Sequence, residues 1–483
     1  MVWTIAGSDS GGGAGIQADL LTFHDFQVHG CSVITALTAQ NSHAVDHVQV
    51  TGADNLAAQI HSLHSDLPAR AIKLGMLANA QVINIVADYL DTYTGFVVCD
   101  PVMVSTSGGE LLVDDARDAI LRRLLPRVDL VTPNIEEAGR LCGMTVRSRD
   151  DMVRAADKLL ALGARSVLIT GGHTEAVAGR LADYYASADE RFWLAGELIE
   201  SVHTHGSGCT LSAAIAAAVG AGYELADALV LAKTYVTAGI RLGRQLGAGP
   251  GPVAHRGWPD QLVDLPALYR QPFSALAAFP VIEGELGLYA VVDSAEWVEK
   301  MVAEAVPTIQ LRLKSGTADE LETAIVRARD AVRGSTSRLF INDHWALAIK
   351  HGVYGVHLGQ EDLDTADLSA IAAAGLRLGV STHSYAEIAR AHGVRPSYIA
   401  IGPIYPTTTK VMRFEQQGLD RLARWVHLLK PGYVLTAIGG ISVARAPGVL
   451  ATGVGSVAVV SAITDAPDYR RAVSDLLQAH VAA

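Results

Sequence analysis

Apolar residues in the first half of the chain fall into short continuous runs: WTIAG, SVITAL, AIKLGM, FVVCD, DLVTPN and SVLITGG. Stretches of helical periodicity separate most of them. Short runs without strict alternation suit strands buried on both faces, and their alternation with helices predicts a largely parallel α/β sheet. The segment DYYASADERFWLAG reads as a hairpin, and an Ala-rich pair of helices follows, down to about Arg244. From Leu288 eight further runs recur at even spacing: LYAVVD, TIQLR, RLFIND, GVHLG, RLGVST, YIAIGP, VLTAIGG and SVAVVS. Each is followed by a helical stretch, which predicts a compact (β/α)8 barrel, with a doubly wound sheet as the alternative. Between the halves, residues 246–284 are rich in Gly and Pro and lose periodicity, as a linker does, although scattered apolar residues suggest packing on a domain. The expected organisation is residues 1–245, a linker over 246–284, and 285–483.

Composition narrows this picture. A chain of 483 residues is too long for one ordinary core. With 50% hydrophobic and 18% charged residues it is globular, and a net charge of −12 argues against nucleic-acid or acidic-membrane partners. Small-molecule ligands are expected, and a homo-oligomer stays open. The four cysteines show no CxxC pairing or metal-ligand spacing and read as reduced thiols. The chain opens on VWTIAGSD without a basic-then-apolar leader, and its most apolar run, Leu211 to Val219, is far shorter than a bilayer span. A cytoplasmic protein is expected. Only eight residues are Lys, so each lysine is informative.

In the second half, polar residues gather at strand C-terminal ends, where barrel active sites lie. Gln310, Arg312 and Lys314 alternate along the second strand, which puts them on its inward face, with Leu311 and Leu313 facing the helices. Such a trio calls for an anionic ligand; the competing reading is a buried charge network, which needs carboxylate partners of its own. Asn342 and Asp343 end the third strand, and HLGQED after the fourth reaches Asp362. Two carboxylates at neighbouring strand ends suit a Mg²⁺ that keeps waters and takes phosphate oxygens, whereas either alone reads as a helix cap. GPIYPTTTK supplies the Thr407, Thr408 and Thr409 hydroxyls and the Lys410 charge. Backbone amides of Gly439, Gly440, Val460 and Ser461, after the last two strands, predict a phosphate cup.

QLRLK, ND before a helix, GVHLGQED, GVSTH, GPIYPTTTK, AIGGI and VAVVSAI stand in the order found in thiamine-phosphate synthases, and the whole second half resembles that family. The resemblance implies condensation of hydroxymethylpyrimidine diphosphate with thiazole phosphate, releasing pyrophosphate. It implies Mg²⁺ on Asp343 and Asp362, and pyrimidine diphosphate on Gln310, Arg312, Lys314, Asn342, Ser381 and Lys410. Thiazole phosphate would lie against Thr407, Thr409, Gly440, Val460 and Ser461. Loss of pyrophosphate leaves a cation-like methylene for the thiazole nitrogen to attack. The protein therefore needs mainly to neutralise the departing diphosphate, the work of Arg312, Lys314 and Lys410 with the metal. Leu313 stands where the family has Glu, and His344 where it has Arg.

The first half carries the glycine-dense AGSDSGGGAGIQADL, which permits close backbone approach to a ligand and is also simply a loop. Asp100 ends the strand FVVCD, and TPNIEEA places Asn134 and Glu137 three apart at a helix entrance. That pair is either a cap with an acid in its first turn or a water-mediated holder of a Mg²⁺–phosphate complex. In HTHGSGCTLSAAIAAAV, Gly206, Ser207, Gly208 and Cys209 open a helix. Its N–H groups and dipole suit charge building on a transferring phosphoryl group, and the same field is expected to lower the Cys209 pKa so that the thiol can accept a proton. A small hydrophobe in a buried first turn is the plain alternative.

With TALTAQNS, KLGML and DPVM, these motifs resemble the hydroxymethylpyrimidine and phosphomethylpyrimidine kinases of the ribokinase superfamily, over residues 2–243. The resemblance implies a ribokinase-like α/β sandwich, ATP as co-substrate and Cys209 as catalytic base. It implies an anion hole from Gly206 to Cys209, Asp100, Asn134 and Glu137 near metal and phosphate, and Asp19 and Gln40 on the pyrimidine. Thr170 stands where the family has a Lys near the nucleotide phosphates, and Ser207 where it has Thr. Together the halves would phosphorylate hydroxymethylpyrimidine twice and condense the product into thiamine phosphate. The alternatives are a pyridoxine or pyridoxal kinase first half, or a first half that binds ligand without turnover.

Overall fold

A computed structural model describes residues 1–103, 114–172, 179–271, 278–407 and 416–482. The chain divides into two compact units, Met1–Pro272 and Phe273–Ala483.

The first unit is built on a ten-stranded sheet. Its strands are β1 (Val2–Asp9), β2 (Gly30–Gln40), β3 (Val45–Val50), β4 (Ala71–Leu74), β5 (Phe96–Cys99), β6 (Leu130–Val131), β7 (Ser166–Ile169), β8 (Arg180–Ser187), β9 (Arg191–Glu197) and β10 (Ala267–Tyr269). They lie in the order β10-β9-β8-β7-β6-β5-β4-β1-β2-β3. The middle, from β7 to β2, is parallel, and the flanking pairs are antiparallel. Strand order reverses between β1 and β4, the kind of switch point at which α/β sheets bind ligands. Central strands are mostly apolar because helices cover both faces. β4 is buried at every position, Lys73 included.

The second unit is a closed parallel barrel of eight strands. These are β11 (Gly287–Val292), β12 (Thr308–Leu311), β13 (Arg338–Asn342), β14 (Gly355–Leu358), β15 (Arg377–Thr382), β16 (Tyr398–Ile401), β17 (Val434–Ile438) and β18 (Ser456–Val459), in sequence order around the barrel. The barrel expectation is met strand for strand. Among the described residues no helix is long and apolar enough to cross a membrane.

Residues 246–284 do not form one free linker. β10 extends the first unit's sheet by pairing with β9. Farther on, Ile282 is buried in the barrel core, and the Pro280 carbonyl accepts the Ser397 hydroxyl at 2.7 Å. The scattered apolar residues at each end are recruited by the nearer core.

Candidate active sites

In the first unit, β1 ends at Asp9, whose carboxylate accepts the N–H groups of Gly11 (2.8 Å), Gly13 (3.0 Å) and Ala14 (2.9 Å). The His205 ring lies 3.4 Å away. Burial pushes the Asp9 carboxyl up, but the bonds from His205, Gly11 and Ala14 outweigh it and hold it below the usual carboxylate range. Asp9 thus moulds the glycine loop and ties it to the turn before the helix Ser207–Gly220. That turn needs its glycine: Gly206 has φ 79°, and a Cβ there would overlap the Gly13 carbonyl oxygen. Ser10 clamps the loop's far side to Gln40, its hydroxyl donating to the Gln40 carbonyl at 2.9 Å and accepting the Gln40 N–H at 2.8 Å.

Cys209 is partly exposed in the first turn of that helix, and its sulfur accepts the Gly15 N–H at the start of the helix Gly15–Asp25. Two helix N-termini therefore point at the thiol. The lowered pKa expected from this field is not what the structure supports. Burial, with the charges of Asp100 and Asp19, pushes the Cys209 thiol up to about 12, against the opposing Lys73 ammonium and Gly15 N–H. The dipole field is worth less here than desolvation plus two nearby carboxylates. The Ser207 N–H is donated to the Thr204 carbonyl at 3.1 Å, closing the turn that leads into the helix.

Asp19 is fully buried, and its carboxylate oxygens take the Lys73 ammonium at 2.8 and 2.9 Å and the Thr4 hydroxyl at 2.6 Å. It thereby ties the helix Gly15–Asp25 to Lys73 on β4, the lysine whose charge also acts on Cys209 and Asp100. Burial opposes the Lys73 charge, but Asp19, Cys209 and Asp100 overcome it and raise the lysine above its ordinary value. The strand AIKLGM by itself points to no role for Lys73. One of only eight lysines, set in an otherwise apolar strand, is the signal that marks it.

Asp100 is buried, 3.5 Å from the Ser212 hydroxyl, and burial raises it to about 6 against the pull of Lys73. Asn134 and Glu137 form a capping box. The Asn134 side chain accepts the N–H groups of Glu136 (2.9 Å) and Glu137 (3.0 Å), while Glu137 accepts the Asn134 N–H at 3.0 Å. The capping reading of this pair is present in full. Burial and then the charge of Asp100 push Glu137 up to about 8, so two costly carboxyls adjoin each other beyond the ends of β5 and β6. Thr170, at the end of β7, donates its N–H to the Pro133 carbonyl at 3.0 Å. One residue on, the Gly171 N–H reaches Asp183 at 3.0 Å, and Asp183 pairs with Lys233 at 2.7 Å.

In the barrel, Asp343 stands past the end of β13 with φ 62°, a left-handed conformation that costs a non-glycine residue energy. It does not cap the next helix, Trp345–His351, whose cap is His344. It is instead hydrogen-bonded to Asp362. Desolvation, then the charge and bond of Asp362, push Asp343 up to about 6, with the Arg312 and His344 charges opposing. Asp362 also accepts the Gly359 N–H at 3.1 Å, so a turn role coexists with the pairing. Among the described residues no three His, Cys, Asp or Glu side chains gather as a complete metal cage. Two carboxyls held this close, sharing a hydrogen bond in place of a full second charge, suit a dication that keeps waters and borrows phosphate ligands.

β12 stops at Leu311, so the alternation argument holds for Gln310, which is buried inside the barrel, and does not extend to the residues after it. Arg312 lies near Asp343, Lys314 is exposed, and Leu313 lies past the strand and is partly exposed. Asn342 is the last residue of β13, and Ser381 lies on β15. Thr407 is described, whereas Thr408, Thr409 and Lys410 lie outside the described residues. Gly440 (φ 63°), with Val460 and Ser461, follows the neighbouring strands β17 and β18. Arg445, not anticipated from sequence, donates to the Gly440 carbonyl at 2.8 Å and stacks over Tyr405.

Residues 9–254 match the phosphomethylpyrimidine kinase family, and residues 288–463 match thiamine monophosphate synthase. The chain is 57% identical over 203 residues to the thiamine-phosphate synthase of Yersinia pseudotuberculosis, an alignment covering 42% of this chain and 94% of that one. It is 58% identical over 200 residues to the enzyme of Escherichia coli, covering 41% and 94%. Among solved structures, an ADP complex of Bacillus subtilis pyridoxal kinase superposes with a TM-score of 0.50 at 36% identity, covering 53% of this chain and 96% of that one. Staphylococcus aureus pyridoxal kinase with AMP-PCP and pyridoxal gives 0.50 at 30% identity, covering 56% and 97%.

Proposed function

The chain belongs to the phosphomethylpyrimidine kinase family over residues 9–254 and to the thiamine-phosphate synthase family over residues 288–463, and from that premise we propose that it performs successive steps of thiamine formation. The first unit phosphorylates hydroxymethylpyrimidine and its monophosphate with ATP, and the second condenses the diphosphate with thiazole phosphate, releasing pyrophosphate.

The observation that carries the synthase reading is the Asp343–Asp362 carboxylate pair beside Arg312 at the barrel's strand ends. These two residues would hold Mg²⁺, which when bound supplies positive charge against the diphosphate. Arg312, Lys314 and Lys410 neutralise the same leaving group, while Gln310, Asn342 and Ser381 hold the pyrimidine. Thr407, Thr409, Gly440, Val460 and Ser461 hold thiazole phosphate for the attack of its ring nitrogen.

In the kinase unit, Cys209 takes the proton of the substrate hydroxyl, and Gly206 to Cys209 with the glycine loop cradle the phosphoryl group. Asp100, Asn134 and Glu137 would reach the nucleotide's Mg²⁺ through water. Gln40, at the rim of the glycine loop, meets the pyrimidine.

A second reading of the kinase half rests on its likeness to pyridoxal kinases at 36% identity: a pyridoxal-type ring would occupy the same cleft. Rates with hydroxymethylpyrimidine and with pyridoxal, each with MgATP, separate the two. Faster ADP release with pyridoxal contradicts the pyrimidine reading. Substrate binding without ADP release from either would mark a binding module.

A further inference from the structure

Inside the barrel, below the strand ends, five polar side chains from five strands form one hydrogen-bonded chain. Gln310 Nε2 donates to the Tyr289 hydroxyl at 2.9 Å. The hydroxyls of Tyr289 and Tyr398 meet at 2.6 Å. Tyr398 meets His357 Nδ1 at 2.7 Å, and His357 Nε2 meets the Ser381 hydroxyl at 2.8 Å. Gln310, Tyr289, Tyr398 and His357 are all buried. Gly379 makes the span possible: on β15 it pairs with His357 on one side and Tyr398 on the other, and a Cβ there would overlap the Tyr398 ring.

Buried hydroxyls each have one proton to give, so the order of donation is set from one end. Gln310 donates to Tyr289, which leaves the Tyr289 proton for Tyr398 and the Tyr398 proton for His357 Nδ1. His357 is then the Nε2–H tautomer and donates to Ser381. Burial raises both phenols above their ordinary values, so each has a proton to pass on. The chain's two ends, Gln310 and Ser381, are the residues placed on the pyrimidine diphosphate. In this order Gln310 turns its carbonyl outward as an acceptor, and Ser381 keeps its own proton to donate. The reverse order would require the Gln310 amide to flip and Ser381 to spend its proton inward.

We propose that His357, with Tyr398 and Tyr289, is a positioning relay: it fixes which face of the Gln310 amide and which side of the Ser381 hydroxyl meet the pyrimidine substrate, without touching that substrate. The inference rests on the synthase reading of the barrel.

Tyr398→Phe tests it in the full-length protein, because it keeps the ring and cuts the chain between Tyr289 and His357. The expected result is a rise of about tenfold in KM for the pyrimidine diphosphate, an unchanged KM for thiazole phosphate and a modestly lowered melting temperature, since two buried partners lose the hydroxyl. Tyr289→Phe should give the same rise, and the double variant no more than either single one, since one break already frees the amide. In a Gln310→Ala background, Tyr398→Phe should keep only the smaller effect that passes through His357 to Ser381. An unchanged pyrimidine KM in Tyr398→Phe, equal rises in both KM values, or an undiminished effect in the Gln310→Ala background overturns the relay alone. Absence of synthesis by the unmodified chain overturns the synthase reading and the relay with it.

Discussion

Cys209 joins a helix N-terminus, a second helix's first N–H and two buried carboxylates, and the balance among them decides its protonation. With the thiol at about 12, Asp100 at about 6 and Glu137 at about 8, each of these three groups gains negative charge as pH rises. The kinase kcat/KM, which reports the free enzyme, should therefore rise with pH and keep rising above about pH 9 as the Cys209 thiol begins to ionise; a profile that levels off below about pH 9 contradicts the assignment of Cys209 as base. Replacing Cys209 by Ala should cost at least about 100-fold in pyrimidine phosphorylation and leave the barrel reaction intact, as initial rates of ADP and of thiamine phosphate formation will show. In the barrel, Asp343→Ala should do the reverse, abolishing condensation and sparing phosphorylation. Cys209 and the Asp343–Asp362 pair could be singled out from sequence because residue types and strand-end positions carry that much. The sign of the Cys209 shift could not, because it depends on Asp19 and Asp100, brought beside the thiol only by folding.

At the scale of elements, the parallel strands and all eight barrel strands were legible because burial on both faces leaves continuous apolar runs. β3 was not: its VDHVQV is largely exposed on an edge, so it presents no such run. β10 was hidden in a Gly/Pro-rich stretch, since three residues pairing with β9 leave no periodic trace. Asp19 sits on a helix facing β4, and its partner Lys73 lies 54 positions away, a pairing no local pattern shows. Lys73→Met should leave the Asp19 charge buried and unpaired and lower stability by roughly 3–5 kcal/mol, read as an earlier unfolding transition of the kinase unit with the barrel transition unmoved. Gly206→Ala should also weaken the kinase selectively, because the added methyl meets the Gly13 carbonyl and the left-handed backbone together. Phosphorylation rates and the melting profile of that variant will show whether the glycine contact matters to the cleft.

For the whole molecule, two families on one chain account for consecutive reactions without requiring the intermediate to stay bound. A mixture of the Cys209→Ala and Asp343→Ala proteins should then make thiamine phosphate from hydroxymethylpyrimidine, because one supplies diphosphate and the other consumes it. No product from the mixture would mean that the diphosphate does not pass through solution. The most direct measurement uses the unmodified protein with hydroxymethylpyrimidine, MgATP and thiazole phosphate, following ADP and thiamine phosphate together. The account predicts that both appear, with two ADP for each thiamine phosphate. Thiamine phosphate formed only when the pyrimidine diphosphate is supplied ready-made would contradict it, leaving a working barrel joined to a kinase unit that is inactive or serves another substrate.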